Sequence, residues 1–318
     1  MASIHNIAKA CNVSSATVSR VLNGSANVSQ RTRELILRKM HEMRYKPTVS
    51  KNTSCAVAVT FVESQLNAGP YEAGLLRHLL LALDESETPV RIISAPRLQS
   101  INPANLSAII SMSYGSGEEK WLRRLEGTVP IIGINSGTQY EGMTRVESDH
   151  AQGSRLAVAY LHRMGHRRVA YLNNVAEDSP TQQDRHEGFQ NACAEFDVEA
   201  VLYLIHTEAM LFESIDDLLR RKIGALYLGN GMFVIRVHAV FQRLGVKVPD
   251  DVSLVAYDDS NLSKELPVPF TTVRQPLDLM ARKAVEILPK VIDGTCEERL
   301  FMFANELTIR NSVRKATP

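Results

Sequence analysis

The sequence has little cysteine and only one tryptophan. Its 318 residues include four cysteines, at positions 11, 55, 193 and 296, and no two of them form a CxxC pair. A disulfide framework or a thiolate metal site is therefore not expected, and the four are predicted to be buried thiols. The nine histidines have no metal-ligand spacing either, so neither a metal ion nor another cofactor is expected.

Long apolar segments are also missing. No run approaches the roughly 20 apolar residues that cross a bilayer, so no membrane partner is expected. The opening segment, MASIHNIAKACNVSS, has no uninterrupted apolar stretch after a basic flank, and it is not expected to be a signal peptide. We therefore expect a cytoplasmic protein. Its content of 44% hydrophobic and 22% charged residues is typical of globular chains.

The net charge of +1 conceals an uneven distribution. Residues 1–54 carry nine Lys or Arg and two acidic residues, whereas the remaining 264 residues have a net charge of −6. A basic N-terminal segment on a mildly acidic chain indicates a polyanionic partner for that segment. A solvated basic helix face has the same composition, so charge alone does not decide the function.

The N-terminal segment predicts three short helices. The first contains Ile4 and Ile7 and ends before Asn12. Ser14 stands at an N-cap position ahead of the second helix, SATVSRVLN, which carries one narrow apolar stripe. Two helices joined by so tight a break are typical of a helix-turn-helix, although an ordinary helical hairpin has the same spacing.

The third helix is predicted from Gln30 to Arg44. Ser29 is its expected N-cap, and Pro47 stops the helical pattern. Its inward residues are expected to be Leu35, Ile36, Met40 and Met43.

The second helix has small or polar residues on its outer side. Small residues let a helix backbone approach the major groove, where Arg20 can donate two hydrogen bonds to guanine and Ala16 can contact a thymine methyl group. The helix N-terminus and the hydroxyls of Ser14 and Thr17 suit phosphate oxygens. This pattern predicts a head that binds double-stranded DNA.

From Cys55 onward, short apolar runs alternate with amphipathic stretches that predict helices, at 71–84, 117–126, 150–164, 182–196, 209–222, 231–244 and 277–293. This alternation predicts parallel sheets with helices on both faces. About nine strands exceed one comfortable sheet, so we expect two doubly wound α/β subdomains with a ligand cleft at the strand carboxyl ends. The strands are expected near 56–62, 90–94, 107–112, 129–134, 168–172, 200–205, 224–228, 252–257 and 269–274.

The string NIAKACNVSSATVSRVLN, followed by VSQRTRELILRKMHEMRYKP, resembles the lactose/galactose-repressor (LacI/GalR) family of bacterial transcription regulators. In the first string, Asn6 and Asn12 replace the usual Asp and Gly of that family. Later segments resemble the family in the same order, namely GHRRVAYL, RHEGFQNA, GVKVPDDVSLVAYDDS and PFTTVRQPLDLMARKAVEIL. The resemblance therefore covers nearly the whole chain.

The resemblance implies both an architecture and partners. It implies a helix-turn-helix head at 1–47, a linker at 48–54, and an effector-binding and dimerisation body of periplasmic-binding-protein type at 55–318. A homodimer would read a pseudo-palindromic DNA operator, and a small effector, expected to be a sugar or sugar derivative, would bind in the cleft. The two subdomains are expected at about 55–147 with 277–304, and at about 148–276 with 305–318.

Some site residues are assigned from positions that match the family, and others from their own place in the predicted helices, strands and linker. DNA contacts are assigned to Ser14, Ser15, Ala16, Thr17, Ser19, Arg20, Asn23, Val28 and Lys51. Effector contacts are assigned to Phe61, Tyr71, Asn135, Arg185, Asn230, Asp258 and Gln275. The guanidinium fork of Arg185 suits vicinal hydroxyls or a carboxylate, and without a ligand this side chain is expected to face water.

Three of these assignments have structural alternatives. Arg185 could pair with Glu187 or Asp184 at the surface. Asp258 could cap the short helix that follows it, and Asn230 could cap a helix N-terminus.

Two segments depart from the family pattern. Family members usually continue the third helix with an N-x-x-A-R-x-L hinge, whose Leu wedges into the minor groove. Here TVSKNTS, residues 48–54, contains no Leu and only one base, Lys51. The usual Asn-Asp pair after the 224–228 strand is Asn230-Gly231, so one carboxylate is absent.

The sequence favours a ligand-responsive transcriptional repressor of a carbohydrate-utilisation operon. A corepressor-dependent or activating regulator has the same motifs. An enzyme is not expected, because GxSxG, an opening GxGxxG and a P-loop are all missing. A solute-binding transport protein is disfavoured by the basic head.

Overall fold

The structure is a computed structural model that describes residues 3–22, 28–43, 45, 56–61, 70–112, 119–125, 127–136, 143–173 and 179–316. Asn23, Lys51 and the predicted linker at 48–54 lie outside the described residues. Within the described part of the chain, no helix has the length and apolar character that crossing a membrane requires.

The head contains three helices, α1 (Ile4–Ala10), α2 (Ser15–Leu22) and α3 (Gln30–Glu42). The predicted N-caps of the last two are confirmed. The Thr17 backbone N–H donates to Ser14 Oγ at 3.0 Å, and the Thr32 N–H donates to Ser29 Oγ at 3.2 Å. Each serine thus satisfies a backbone donor that has no partner inside its own helix.

The core of the head forms where the apolar stripes of the three helices meet. Ile7, Val18, Val21 and Ile36 are fully buried there. The prediction that Leu35 points inward is wrong, because 42% of its surface is exposed. Each helical residue is rotated by about 100° from the next, so the buried face of α3 runs through Ile36, Leu37 and Met40 instead.

The first α/β sheet has six strands in the order β11-β5-β4-β3-β1-β2. The pairs among β1, β2, β3, β4 and β5 are parallel, as predicted. Its elements are β1 (Ala56–Phe61), α4 (Pro70–Glu85), β2 (Val90–Ser94), two short 3-10 turns (Ala95–Ser100 and Pro103–Asn105), β3 (Leu106–Ser111), α5 (Glu119–Arg123), β4 (Ile131–Ile134), β5 (Thr144–Ser148), α11 (Leu277–Asp293) and β11 (Leu300–Phe303).

The second sheet also has six strands, in the order β12-β10-β9-β8-β6-β7. All its pairs are parallel except β12 with β10. Its elements are α6 (His150–Arg163), β6 (Arg168–Asn173), α7 (Pro180–Glu195), β7 (Glu199–Leu204), α8 (Glu208–Arg220), β8 (Ala225–Leu228), α9 (Phe233–Leu244), β9 (Ser253–Tyr257), α10 (Asn261–Glu265), β10 (Thr271–Arg274) and β12 (Glu306–Thr308).

Helices cover both faces of the second sheet. Along β8, Leu226 and Leu228 pack with residues of α8 and α9, whereas Ala225 and Tyr227 pack with residues of α6 and α7. This alternation with a period of two residues is how a doubly wound sheet buries both of its faces. The predicted fold class is therefore confirmed.

Tertiary contacts divide the chain into two units. The first contains the head, β1, Leu75–Glu147 and Asp278–Phe301. The second contains Ser148–Leu277, the described residues from Met302 onward, and the first turn of α4. Three strands, β5, β11 and β12, were not predicted. In β5, whose sequence is TRVES, charged residues interrupt the apolar pattern that identifies a strand. Strands β11 and β12 are too short to show such a pattern.

Candidate functional site

The outer face of α2 in the head is open to solvent. Ser14, Ser15, Ala16 and Arg20 are exposed, and Thr17 and Ser19 are half-buried. The helix carries these groups away from Val18 and Val21, which are fully buried in the head core. The small residues at its N-terminal end and the exposed Arg20 are the features that a helix entering a DNA major groove requires.

The remaining head assignments have different environments. Ser14 Oγ lies 2.8 Å from Thr17 Oγ1, so the two hydroxyls bond to each other at the start of α2. Val28 is half-buried and packs against the head core.

Arg185 lies at the centre of a buried polar cluster in the second unit. It stands on α7 with only 5% of its surface exposed, so the expectation that it faces water is wrong. Its Nη1 donates to Gly229 O at 3.0 Å, and its Nε donates to His150 Nδ1 at 3.2 Å. Its guanidinium carbon lies 3.8 Å from the centre of the Tyr257 ring, a cation–π contact.

Asp258 and Gln275 extend this cluster. Asp258 Oδ2 lies 4.0 Å from Arg185 Nη1, and Gln275 Nε2 donates to Asp258 Oδ1 at 2.6 Å. The other end of the same amide, Gln275 Oε1, accepts from Ser148 Oγ at 2.6 Å. Three of the predicted effector residues are therefore brought together, and their hydrogen bonds fix how each side chain is oriented.

The cluster forms where parallel strands end. Gly229, Asp258 and Gln275 directly follow β8, β9 and β10. The carboxyl edge of a parallel sheet is where α/β proteins bind their ligands. Asp258 has φ of +67°, and Asn135, which directly follows β4 in the first unit, has φ of +43°. Such left-handed conformations are uncommon outside glycine, and they turn the chain sharply after the strand.

His150 is the main residue of the cluster that sequence reasoning missed. Burial, followed by the charge of Arg185, holds its pKa well below the usual value, so the ring is neutral. Because Arg185 Nε–H can only donate, His150 Nδ1 must accept and the ring proton must lie on Nε2. Nε2 is buried and has no hydrogen-bond partner within the described part of the chain. That leaves one donor available to a water or a ligand.

Arg185 stays charged despite its burial. Desolvation by itself would lower the pKa of this guanidinium, but the opposing charge of Asp258 outweighs it, and the pKa is raised. Burial raises the pKa of Tyr171, Tyr227 and Tyr257, which keeps all three phenols neutral. The cluster is thus one cation, one carboxylate and a set of neutral donors and acceptors.

The turn after β8 leaves no space for side chains at its two glycines. A Cβ on Gly229 would lie 2.3 Å from Tyr171 Oη, and a Cβ on Gly231 would lie 2.8 Å from the Tyr257 carbonyl oxygen. Because Gly229 has no side chain, the backbone can lie close to the Tyr171 ring, and the Gly229 carbonyl oxygen accepts from Arg185. A side chain at position 231 would therefore collide with the backbone just before Asp258.

The three structural alternatives have different outcomes. Arg185 bonds to His150 and Gly229 and does not depend on a surface pairing. Asp258 does not cap α10, because Ser260 Oγ accepts from the Ser263 N–H. Asn230 does make a helix-entry contact, since its Oδ1 accepts from the Met232 N–H at 3.0 Å, just before α9.

The three remaining effector assignments, Asn135, Phe61 and Tyr71, each have their own surroundings. Asn135 is buried in the first unit, where its backbone N–H donates to Val146 O. Phe61 ends β1 and is half-buried. Tyr71, in the first turn of α4, is half-buried as well.

Neighbouring acids have separate roles. Asp259, next to Asp258, accepts from Thr272 Oγ1 at 2.7 Å and pairs with Arg310 at 2.6 Å and Lys264 at 3.2 Å. These contacts tie the C-terminal segment to β10, so only the first acid of the pair belongs to the cluster. Within the described residues, no group of three or more His, Cys, Asp or Glu is arranged to hold a metal ion.

Comparison with known proteins covers both parts of the chain. Residues 3–48 match the family "Bacterial regulatory proteins, lacI family", and residues 158–313 match the "Periplasmic binding protein-like domain". The HTH-type transcriptional regulator CelR of Thermobifida fusca is 28% identical over 96% of both chains. The HTH-type transcriptional repressor PurR of Vibrio parahaemolyticus is 25% identical over 99% of both chains.

Solved structures have the same architecture. A complex of the transcriptional regulator CelR with cellobiose matches with a TM-score of 0.70 and 26% identity, over 98% of this chain and all of that one. A lac repressor dimer bound to operator and the anti-inducer ONPF matches with a TM-score of 0.68 and 20% identity, over 98% and 99% of the two chains, and so shares the fold.

A helix-turn-helix head with an exposed reading face, joined to two parallel α/β sheets, defines a DNA-binding transcriptional regulator. The chain belongs to the LacI family of bacterial regulatory proteins. Its relatives are transcriptional regulators rather than enzymes.

Proposed function

We propose that this protein is a homodimeric repressor of a carbohydrate-utilisation operon and that a neutral sugar or sugar derivative releases it from its operator. The observation that carries the proposal is the presence, on one chain, of an exposed recognition helix and a buried Arg185–Asp258 cluster at a sheet's carboxyl edge. In this proposal the head, linker and two subdomains have the boundaries expected from the sequence, and the protein carries out no catalysis.

The charge of the cluster supports a neutral ligand. Arg185 and Asp258 carry opposite charges 4.0 Å apart, and the low pKa of His150 keeps that ring uncharged. These three groups therefore sum to zero net charge. A sugar phosphate or a uronate would have to draw Arg185 away from Asp258, and this would leave a buried carboxylate unpaired. A neutral polyol can instead exchange hydroxyl hydrogen bonds with both side chains. The cellobiose bound in the CelR complex is a neutral sugar of this kind.

Exposed apolar residues support the homodimer. On the edge strand β2, Val90 and Ile92 are 37% and 49% exposed and share one face, and Leu81 of α4 is 48% exposed. An unpaired strand edge with aliphatic side chains is a surface that soluble proteins usually cover. We propose that a second copy of this chain covers it, which would place two heads on a pseudo-palindromic operator.

The linker sequence supports a particular mode of DNA binding. Because residues 48–54 contain no Leu, we propose that the operator is bent less than is usual in this family and that Lys/Arg–phosphate contacts contribute more of the affinity. Lys51 is the one linker base able to reach a phosphate. Affinity should then fall steeply with salt, and circular-permutation gel analysis should detect little central bend. A sharp central bend would contradict this proposal.

The central experiment combines a DNA readout with an effector readout. The full-length protein selects its operator from a random pool of double-stranded oligonucleotides, and a thermal-shift screen then compares neutral mono- and disaccharides with sugar phosphates, uronates and purines. At 100 times its dissociation constant a ligand adds about 2.7 kcal/mol of stability. We expect a neutral sugar to stabilise the protein and to release the selected operator.

Two variants make this experiment specific. Asp258→Asn removes the negative charge that balances Arg185, so it should weaken binding of the neutral sugar and improve the relative binding of anionic sugars. Arg155→Ala changes an exposed ion pair with Glu195, and it should leave the ligand preference unchanged. A parent protein stabilised only by anionic sugars would contradict the neutral-ligand proposal.

The same experiment separates the alternative functions. If the sugar strengthens operator binding, the protein is corepressor-dependent rather than inducible. If no duplex is selected at physiological salt, a solute-binding protein or an enzyme on the same fold becomes the better explanation.

A further inference from the structure

The head contacts the body through the segment 95–105, which forms the two 3-10 turns after β2. Asn102 Nδ2 donates to Val21 O at 3.4 Å, and Ala104 packs against the apolar core of the head. Val21 lies in the last turn of α2, where backbone carbonyls lack a partner inside the helix. Asn102 therefore acts as a cap supplied by the body.

The orientation of Asn102 is set by its own turn. Its Oδ1 accepts from the Ala104 N–H at 3.3 Å, which leaves Nδ2 directed at Val21. A single side chain thus connects the start of the second 3-10 turn to the end of the recognition helix.

A second contact region lies beside α3. A cavity of about 270 Å³ separates Arg33 and Leu37 of α3 from the first 3-10 turn and from Trp121 and Arg124 near α5. The Arg124 guanidinium lies 5.5 Å from the centre of the Trp121 ring. A contact that leaves such a partly open space is loosely packed, which favours reversible rather than permanent docking.

The docked head keeps its reading face open. Ser15, Ala16 and Arg20 are exposed in the same structure in which Asn102 contacts the end of α2 and Ala104 packs against the head core. The contact therefore positions the recognition helix without covering it. A preorganised head needs to lose less orientational freedom when it binds DNA.

We propose that the segment 95–105 is a docking platform that orients the DNA-binding head, in place of the leucine-wedge hinge that the linker sequence lacks. The proposal rests on the operator binding proposed above. In a dimer, two preorganised heads engage the two half-sites together, and the gain from the second head depends on its effective concentration at the DNA. The platform therefore raises affinity for the complete operator and leaves base contacts unchanged.

Asn102→Asp is the sharpest variant. It keeps an oxygen to accept from the Ala104 N–H, but it replaces the donor to Val21 with a carboxylate that repels the carbonyl. Arg97→Gln is the matched control, because it makes the first 3-10 turn more negative by the same one charge at an exposed side chain outside the cavity lining.

Trp121 is the sole tryptophan of the sequence and lines the cavity beside α3, so its fluorescence reports docking directly. We expect Asn102→Asp to shift Trp121 emission to longer wavelength and to weaken binding of the selected palindromic duplex about tenfold. Binding of an isolated half-site and the thermal shift by the sugar should stay as in the parent. Arg97→Gln should change neither the emission nor the affinity.

Each other outcome overturns the proposal. An emission shift with unchanged or tighter operator binding would mean that docking does not help the head bind. Unchanged emission would mean that the head does not dock in solution. An equal loss on the half-site and on the palindrome would place Asn102 in direct DNA contact. If the parent protein selects no duplex at all, the proposed function fails instead, and the emission shift still tests the docking.

Discussion

The recognition helix and the Arg185 cluster are both polar sites, but they are built in opposite ways. The outer face of α2 is exposed, and the burial of Val18 and Val21 on the other face of the same helix fixes its orientation. The Arg185 cluster is buried, and its side chains hold one another through contacts between α6, α7 and the ends of β8, β9 and β10.

This difference determines what a substitution does at each site. An exposed side chain that touches no neighbour can be removed without a cost to folding, so its loss should be seen in DNA binding alone. A buried charge that holds several partners belongs to the fold as well as to the site, so its loss should change stability and effector binding together.

Arg185→Ala should have the largest effect. It leaves Asp258 without its cation and removes the donor to Gly229 O, and breaking a buried pair in this way costs about 3–5 kcal/mol. Urea unfolding should detect this loss, and effector binding should disappear with it. Arg185→Lys keeps the charge and should lose less stability. If Arg185→Ala unfolds like the parent, the cluster is less tightly coupled to the fold than its geometry implies.

Arg20→Ala should act on DNA binding alone. A bidentate contact to guanine contributes about 1–3 kcal/mol per head, so specific binding should be lost while weak nonspecific binding survives. Unfolding should match the parent, because the Arg20 side chain is exposed. Lys9→Ala, which removes an exposed base from α1, is the control and should preserve sequence preference. Parent-like operator affinity in Arg20→Ala at the same salt would contradict the assignment.

Lowering the pH should weaken the second unit first. Burial lowers the pKa of both His150 and His166 in the folded chain, so the unfolded chain binds more protons below about pH 6.5. The contribution of the two histidines to the free energy of unfolding is complete above that pH. It is lost as the pH falls, by at most about 1.4 kcal/mol per pH unit for each histidine.

Denaturation between pH 7.5 and 5 measures this dependence. His150→Gln and His166→Gln should each reduce the slope of the free energy of unfolding against pH. The pKa of Asp259 is lowered by Thr272 and Arg310 against the effect of burial, so the stability it contributes is lost below about pH 4, outside this window. An unchanged slope in both variants would show that the two histidines bind protons equally in the folded and the unfolded chain.

Ser14→Ala should have the smallest effect. Loss of the N-cap bond to the Thr17 N–H should destabilise the head by about 1 kcal/mol and leave the second unit unchanged. Amide exchange in α2 should report this locally, with Ser15→Ala, on the adjacent exposed residue, as the control. Equal exchange in the two variants would mean that Ser14 does not cap α2 in solution.

Regular elements with strong apolar patterns were predictable from the sequence. The bounds of α11 matched the predicted 277–293, and α6 and α7 differed from their predicted ranges by only one or two residues. Strands β11 and β12 were missed because four and three residues contain too few side chains to establish a period. Leu35 was placed wrongly because adjacent apolar residues on a helix do not reveal which of them faces the core.

The sequence by itself determined nine of the twelve described strands in their order, the helix-turn-helix with its reading face, and the family, because each depends on residues close together along the chain. Only the tertiary structure decided that Arg185 is buried, that His150 supplies its hydrogen-bond acceptor, and that Asp258 and Asp259 have different partners. His150 lies 35 positions from Arg185 and 107 from Tyr257. Local periodicity carries no information about such distant pairs, which meet only when the parallel strands assemble side by side and bring their carboxyl ends to one edge.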